Sequence, residues 1–108
     1  MITISKQNKY LTLINVFTVE PVNQQKLIDL LTLAAKSSVQ NITGFISSGL
    51  HRSLDGTKVT MYAQWRSMED YQNMRNNPTA SPFLQEALEI AKFNPGMYEV
   101  VETFLPGN

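Results

Sequence analysis

The chain has 108 residues, 43% hydrophobic and 17% charged, with nine Lys and Arg balancing nine Asp and Glu, and no cysteine. Residues 1–108 fit one domain, with no room for a dinucleotide-binding domain or a β/α barrel. Charge balance excludes an unaided electrostatic nucleic-acid footprint, and the missing thiols exclude disulfides, thiolate nucleophiles, iron–sulfur clusters and the usual zinc knuckles.

Residues 10–19, YLTLINVFTV, are apolar on both parities, as in a central strand covered on both faces. Asn15 is the one strongly polar residue inside it, and Glu20-Pro21 ends it. Over residues 22–35, Leu27, Ile28, Leu30, Leu31 and Ala34 recur at helical spacing, with Asn23 as a cap. That helix frays near Ser37-Ser38, and Asn41 to Gly44 form a turn. Residues 45–53, FISSGLHRS, make a strand of mixed polarity, and Asp55-Gly56 is a hairpin signal. In the returning strand, residues 57–65, Val59, Met61, Ala63 and Trp65 share one face, and Thr60, Tyr62 and Gln64 the other.

Ser67 to Asp70 is a capped, acidic helix start. The short helix carries Met68, Tyr71 and Met74 and breaks at Asn76-Asn77-Pro78. Ser81-Pro82 caps a further helix carrying Phe83, Leu84, Ala87, Leu88, Ile90 and Ala91. Asn94-Pro95-Gly96 is expected to turn, and residues 97–105, MYEVVETFL, to form the last strand. No apolar run reaches the roughly 18–20 residues that span a bilayer, and the N-terminus lacks a signal-peptide pattern, so a cytoplasmic protein is expected.

The order strand, helix, strand, strand, helix pair, strand predicts an α+β, ferredoxin-like fold. Its antiparallel four-stranded sheet has the order 4-1-3-2, with helices on one face. The strands of Asn15 and Trp65 then lie side by side. The open face would carry Ile14, Val16 and Tyr62, and a second copy packed across it as a twofold homodimer would hide it. A charged fraction below the usual ~25% points the same way.

The metalloprotease, dinucleotide, P-loop and nucleophile-elbow motifs are absent. His51 is the only histidine, so neither a metal nor another cofactor is expected. Glu69 and Asp70 read as helix-start charges, Glu86 and Glu89 as a solvated face, and Glu99 and Glu102 fall on opposite parities of a strand. None resembles a glycosidase pair. What remains is Asn15, Trp65 and Tyr71. A carboxamide in a buried strand needs a hydrogen-bond partner, either a structural neighbour or a ligand oxygen. Trp65 and Tyr71 serve equally as core packing or as cavity walls, and their closeness on adjacent elements favours a pocket. Its size turns on Leu13, Phe17, Met61, Tyr71, Phe83 and Leu88. His51 is the base best tuned to neutral pH if its strand faces that pocket.

Two segments, NVFTVEP at 15–21 and GFISSGLHRSLDGTKVTMYAQWRSMEDY at 44–71, resemble the antibiotic biosynthesis monooxygenase family. With the 78–91 segment and the last strand, the likeness covers about residues 10–105. The resemblance implies a ferredoxin-like dimer, often with the last strand reaching onto the partner. One branch oxygenates polycyclic phenols with O₂ and no metal, flavin or haem, the substrate supplying the electrons. There an asparagine, the strand-end tryptophan and a nearby tyrosine line the cavity. Trp65 and Tyr71 match the last two. Asn15 matches the first-strand asparagine of a haem-degrading branch, but the segment FLQEALEIA lacks that branch's axial histidine. A third branch, which handles small quinols with strand histidines and tyrosines, keeps His51 in view. The expected catalytic set is Asn15, Trp65, Tyr71 and His51, acting on a small aromatic ligand with O₂. The alternatives are a non-enzymatic, ligand-binding dimer and, after it, a haem-degrading monooxygenase.

Overall fold

The computed structural model describes residues 2–37, 41–76 and 81–107. Its elements are β1 (Leu11–Val19), a 3₁₀ turn (Pro21–Asn23), α1 (Gln24–Ser37), β2 (Phe45–Arg52), β3 (Lys58–Trp65), α2 (Met68–Arg75), α3 (Ser81–Ile90), β4 (Ala91–Asn94) and β5 (Met97–Tyr98). The sheet runs β2-β3-β1-β4, with β5 also on β1 and every pairing antiparallel. This is the ferredoxin-like α+β fold, with the strand order that the sequence predicts. Among the described residues no helix is long and apolar enough to cross a membrane.

Alternation along β1 decides what each face does. Phe17 and Val19 are buried beneath the helices, beside Leu27, Leu30 and Leu31 of α1, Val59 of β3 and Ala87 of α3. Burial of each large aliphatic side chain contributes about 1.5–3 kcal/mol. A second cluster gathers Leu13, Ala63, Trp65, Tyr71 and Met74. On the other face Ile14 lies opposite Tyr62 and Val16 opposite Thr60. The N-terminal arm crosses that face, where Gln64 donates to the Thr3 carbonyl at 2.7 Å and accepts from Ser47 at 2.8 Å.

Three local expectations change. Asn23 belongs to the 3₁₀ turn, its N–H donating to Glu20 O at 2.8 Å, rather than capping α1 from outside. Ala91 starts a strand rather than ending a helix, and the last strand comes in two pieces. Phe93 stacks on Phe17 with centroids 4.8 Å apart, a partner that only the sheet supplies. Pro95 has no N–H to donate, which separates β4 from β5. The ladder nevertheless holds its register, because Ile14 N donates to Gly96 O at 3.0 Å. Pairing stops at Tyr98 opposite Thr12, because β1 itself begins at Leu11. Residues 99–105, expected as strand, therefore have no ladder to join, and Val101, Phe104 and Leu105 are exposed. The helix cap expected at Ser81 and the break at Asn77-Pro78 fall on side chains and residues outside those described.

Candidate active site

The end of β3 and the start of α2 are locked together by polar contacts. Ser67, in extended backbone, accepts from Asp70 N at 3.2 Å and caps α2. Arg66 donates to both oxygens of Asp70, Nε at 2.8 Å and Nη2 at 3.0 Å, and Ser67 Oγ donates to the same carboxylate at 2.9 Å. These donors hold the Asp70 carboxyl below the usual carboxylate range, Arg66 foremost. Gly44 closes the arrangement from β2's side. Its φ is +89°, and a Cβ there would collide with the Asp70 side chain. Arg66 N also donates to Gly44 O at 2.7 Å. The charges at this helix start thus fix where Trp65 ends and where Tyr71 begins.

Trp65 and Tyr71 are 1% and 3% exposed and meet edge to face, 5.9 Å between centroids. Phe45 also meets Trp65 edge to face, at 5.4 Å between centroids. Between these rings and α1 lies a cavity of about 120 Å³. Leu13, Phe17, Leu31, Met61, Trp65 and Met74 supply apolar wall, and the polar contributions come from Asn15, Ser48, Tyr71 and Arg75. Arg75 and Leu88, both exposed, mark the opening. For scale, an engineered cavity of about 150 Å³ holds benzene.

Asn15 sits in the wall on the helix-covered face of β1, directly opposite Met61 of β3. Its carboxamide oxygen is buried and, among the described residues, has no hydrogen-bond partner. Leaving such an acceptor unmet costs about 1–3 kcal/mol. The chain carries that cost inside a mostly apolar pocket, where a ligand O–H or N–H would meet it.

The structure brings Asn15, Trp65 and Tyr71 to one cavity and leaves His51 out. β2 places His51 on the opposite face, exposed, across from Thr60 and with Nδ1 3.4 Å from its carbonyl. A register irregularity between Phe45 and Ser47 fixes which β2 residues face inward. Sequence parity alone does not reveal such a bulge. His51 therefore does not reach the cavity as a base. Of the expected size-determining residues, Leu13, Phe17, Met61, Tyr71 and Leu88 line it, whereas Phe83 packs on the main core. Arg75 was not anticipated, although it lies four residues after Tyr71, the spacing that puts two side chains on one helix face. Among the described residues no group of three or more His, Cys, Asp or Glu could hold a metal ion.

The covered face of this ferredoxin-like sheet thus encloses a mostly apolar pocket with one unmet carboxamide. Residues 10–86 match the antibiotic biosynthesis monooxygenase family, and the chain belongs to that family. It is 36% identical over 104 residues to the tetracenomycin-F1 monooxygenase of Streptomyces glaucescens, a match spanning 96% of this chain and 93% of that one. A monooxygenase from the gene ActVA-Orf6 of Streptomyces coelicolor, in complex with nanaomycin D, is similar with a TM-score of 0.77 at 28% identity. That match covers 94% of this chain and 96% of the other. SnoaB, a cofactor-independent oxygenase from Streptomyces nogalater, shares the fold with a TM-score of 0.69 at 18% identity over 88% of this chain and 96% of that one.

Proposed function

We propose that this protein oxygenates a small electron-rich aromatic, phenol- or quinol-like, with O₂, using electrons from the substrate itself. The observation that carries the reading is the unpartnered Asn15 oxygen in the wall shared with Trp65 and Tyr71. The tetracenomycin-F1 monooxygenase relative, and the nanaomycin D bound to the monooxygenase from ActVA-Orf6, support the same class. A carboxamide offers an acceptor to a neutral phenol and, turned about its last torsion, donors to the phenolate. Asn15 thus meets the substrate oxygen before and after deprotonation. It favours the anion that reacts with O₂, an effect expressed more in the transition state than in binding.

The overall change balances without an added reductant. A quinol and O₂ become quinone and H₂O₂; a phenol, reacting through the ring CH₂ of its keto tautomer, and O₂ become C=O and H₂O. The proton leaves first, O₂ adds to the electron-rich carbon, and water departs from the resulting hydroperoxide. The protein's tasks are to orient the ring against Trp65, favour the anion and exclude bulk water. With His51 outside the cavity, proton transfer falls to Tyr71 or to water entering at the mouth. We further propose that a second copy covers the Ile14, Val16 and Tyr62 face and the exposed residues Val101, Phe104 and Leu105.

Oxygen uptake tests the activity with a panel of readily oxidised naphthols and hydroquinones, against buffer and heat-denatured protein. Asn15→Ala should lower kcat about 10²–10³-fold while Kd changes far less. Binding without oxygen uptake across the panel would leave a ligand-binding protein instead. Wild-type turnover in folded Asn15→Ala and Trp65→Phe would remove the cavity from consideration as the active site.

A further inference from the structure

The mouth of the cavity carries a cation that the proposed reaction leaves unused. Arg75 closes the last turn of α2, and its Nη1 donates to Tyr71 Oη at 3.2 Å. Its guanidinium carbon lies 5.9 Å from the Tyr71 ring centroid and 5.7 Å from that of Phe93. Two aromatic rings therefore hold the group at the opening, a placement favourable for a planar cation. Among the described residues no carboxylate forms an ion pair with it, whereas Arg66 on the preceding loop is taken up by Asp70.

The hydrogen-bond inventory at this end of the cavity is one-sided. Tyr71 Oη accepts from Arg75, which leaves the phenol hydrogen free for a ligand. Guanidinium has five N–H donors and no acceptor, and Tyr71 takes one of the five. The mouth thus presents donors and a positive charge, while Asn15 presents the unmet acceptor in the wall. A flat ring system with one hydroxyl for Asn15 and one separate anionic oxygen group would satisfy both.

Resting on the proposed function, we infer that Arg75 and Tyr71 form an anion-binding pole that selects aromatic substrates bearing a carboxylate. A planar carboxylate matches the guanidinium fork in two-point contact, and such charge-assisted bonds are about twice as strong as neutral ones. The remaining apolar wall holds the ring whether or not the acid is present, so charge recognition and ring binding are separable.

The test is titration calorimetry with 2-naphthoate and its uncharged isostere 2-naphthamide, at pH 7 and two salt concentrations. Neither compound needs to be turned over. The wild type should bind the acid roughly tenfold more tightly than the amide, and salt should narrow the gap. Arg75→Met should erase the preference, with an unchanged circular dichroism spectrum and melting temperature as the control that the fold is intact. Arg75→Lys should restore part of it, as a point charge without the fork. Equal wild-type affinities, or a preference that survives in Arg75→Met, would overturn the assignment and leave the oxygenase reading standing. Failure of both compounds to bind would overturn the assignment and the cavity reading together.

Discussion

Replacing Asn15 with leucine separates what the carboxamide does for the fold from what it does for a ligand. The two side chains have the same number of heavy atoms and the same branching, so Leu occupies the space without a new clash. The native oxygen is buried with no partner, a condition worth about 1–3 kcal/mol against the folded state. Leu removes that penalty and joins Leu13, Phe17 and Met61 along the same wall. We expect Asn15→Leu to raise stability by about 1–2 kcal/mol and the melting temperature by roughly 4–8 °C per kcal/mol, the scale for a domain of this size. Urea unfolding and thermal melts at fixed protomer concentration measure the gain, because association adds to apparent stability. Oxygen uptake by the same variant should fall to background. Destabilisation by more than about 1 kcal/mol would mean that the amide is a satisfied structural group, and the reasoning from its orphaned oxygen would fail.

Gly44→Ala should be among the most damaging single-methyl additions, about 2–4 kcal/mol by urea unfolding, since it joins a strained φ of +89° to a collision with Asp70. Gly56→Ala, at φ +82° with Pro21 Cβ 3.3 Å from the new methyl, should lose nearer 1 kcal/mol. Acid should destabilise through two carboxylates whose folded values are depressed. Three bonds from Thr57 and Ser53 hold Asp55 at about 2, and Arg66 and Ser67 lower Asp70. Their stabilisation is complete above the unfolded value near 4 and drains away as pH falls toward the folded values, so urea midpoints should drop below about pH 4. Asp70→Asn should flatten that drop, and an unchanged acid profile would remove Asp70 as its source. Light scattering at micromolar concentration should give twice the chain mass of 12.2 kDa, and deleting residues 99–108 should shift the population toward monomer. A full-length monomer would refute the covered outer face.

Much of this protein was legible in its sequence because its signals are local. Alternation in 57–65 gave the faces of β3, helical spacing of Leu27, Leu30, Leu31 and Ala34 gave the buried side of α1, and Ser67 gave the start of α2. Short crossovers then fix the strand order, which places Asn15 and Trp65 on neighbouring strands. Other features depended on contacts between distant segments. Ala91-Lys92-Phe93-Asn94 is too short to announce itself as a strand, and Phe93 becomes one by meeting Phe17 across the sheet. Residues beyond Tyr98 have strand-like composition, but a strand needs an edge to pair with, and β1 has already ended. His51 turned outward through a one-residue irregularity in β2, which reverses parity without changing composition. Sequence named the polar residue in an apolar strand. Only the packing of α1, α2 and β3 around it decided that Asn15 would be left without a partner, inside a space that a ligand can fill.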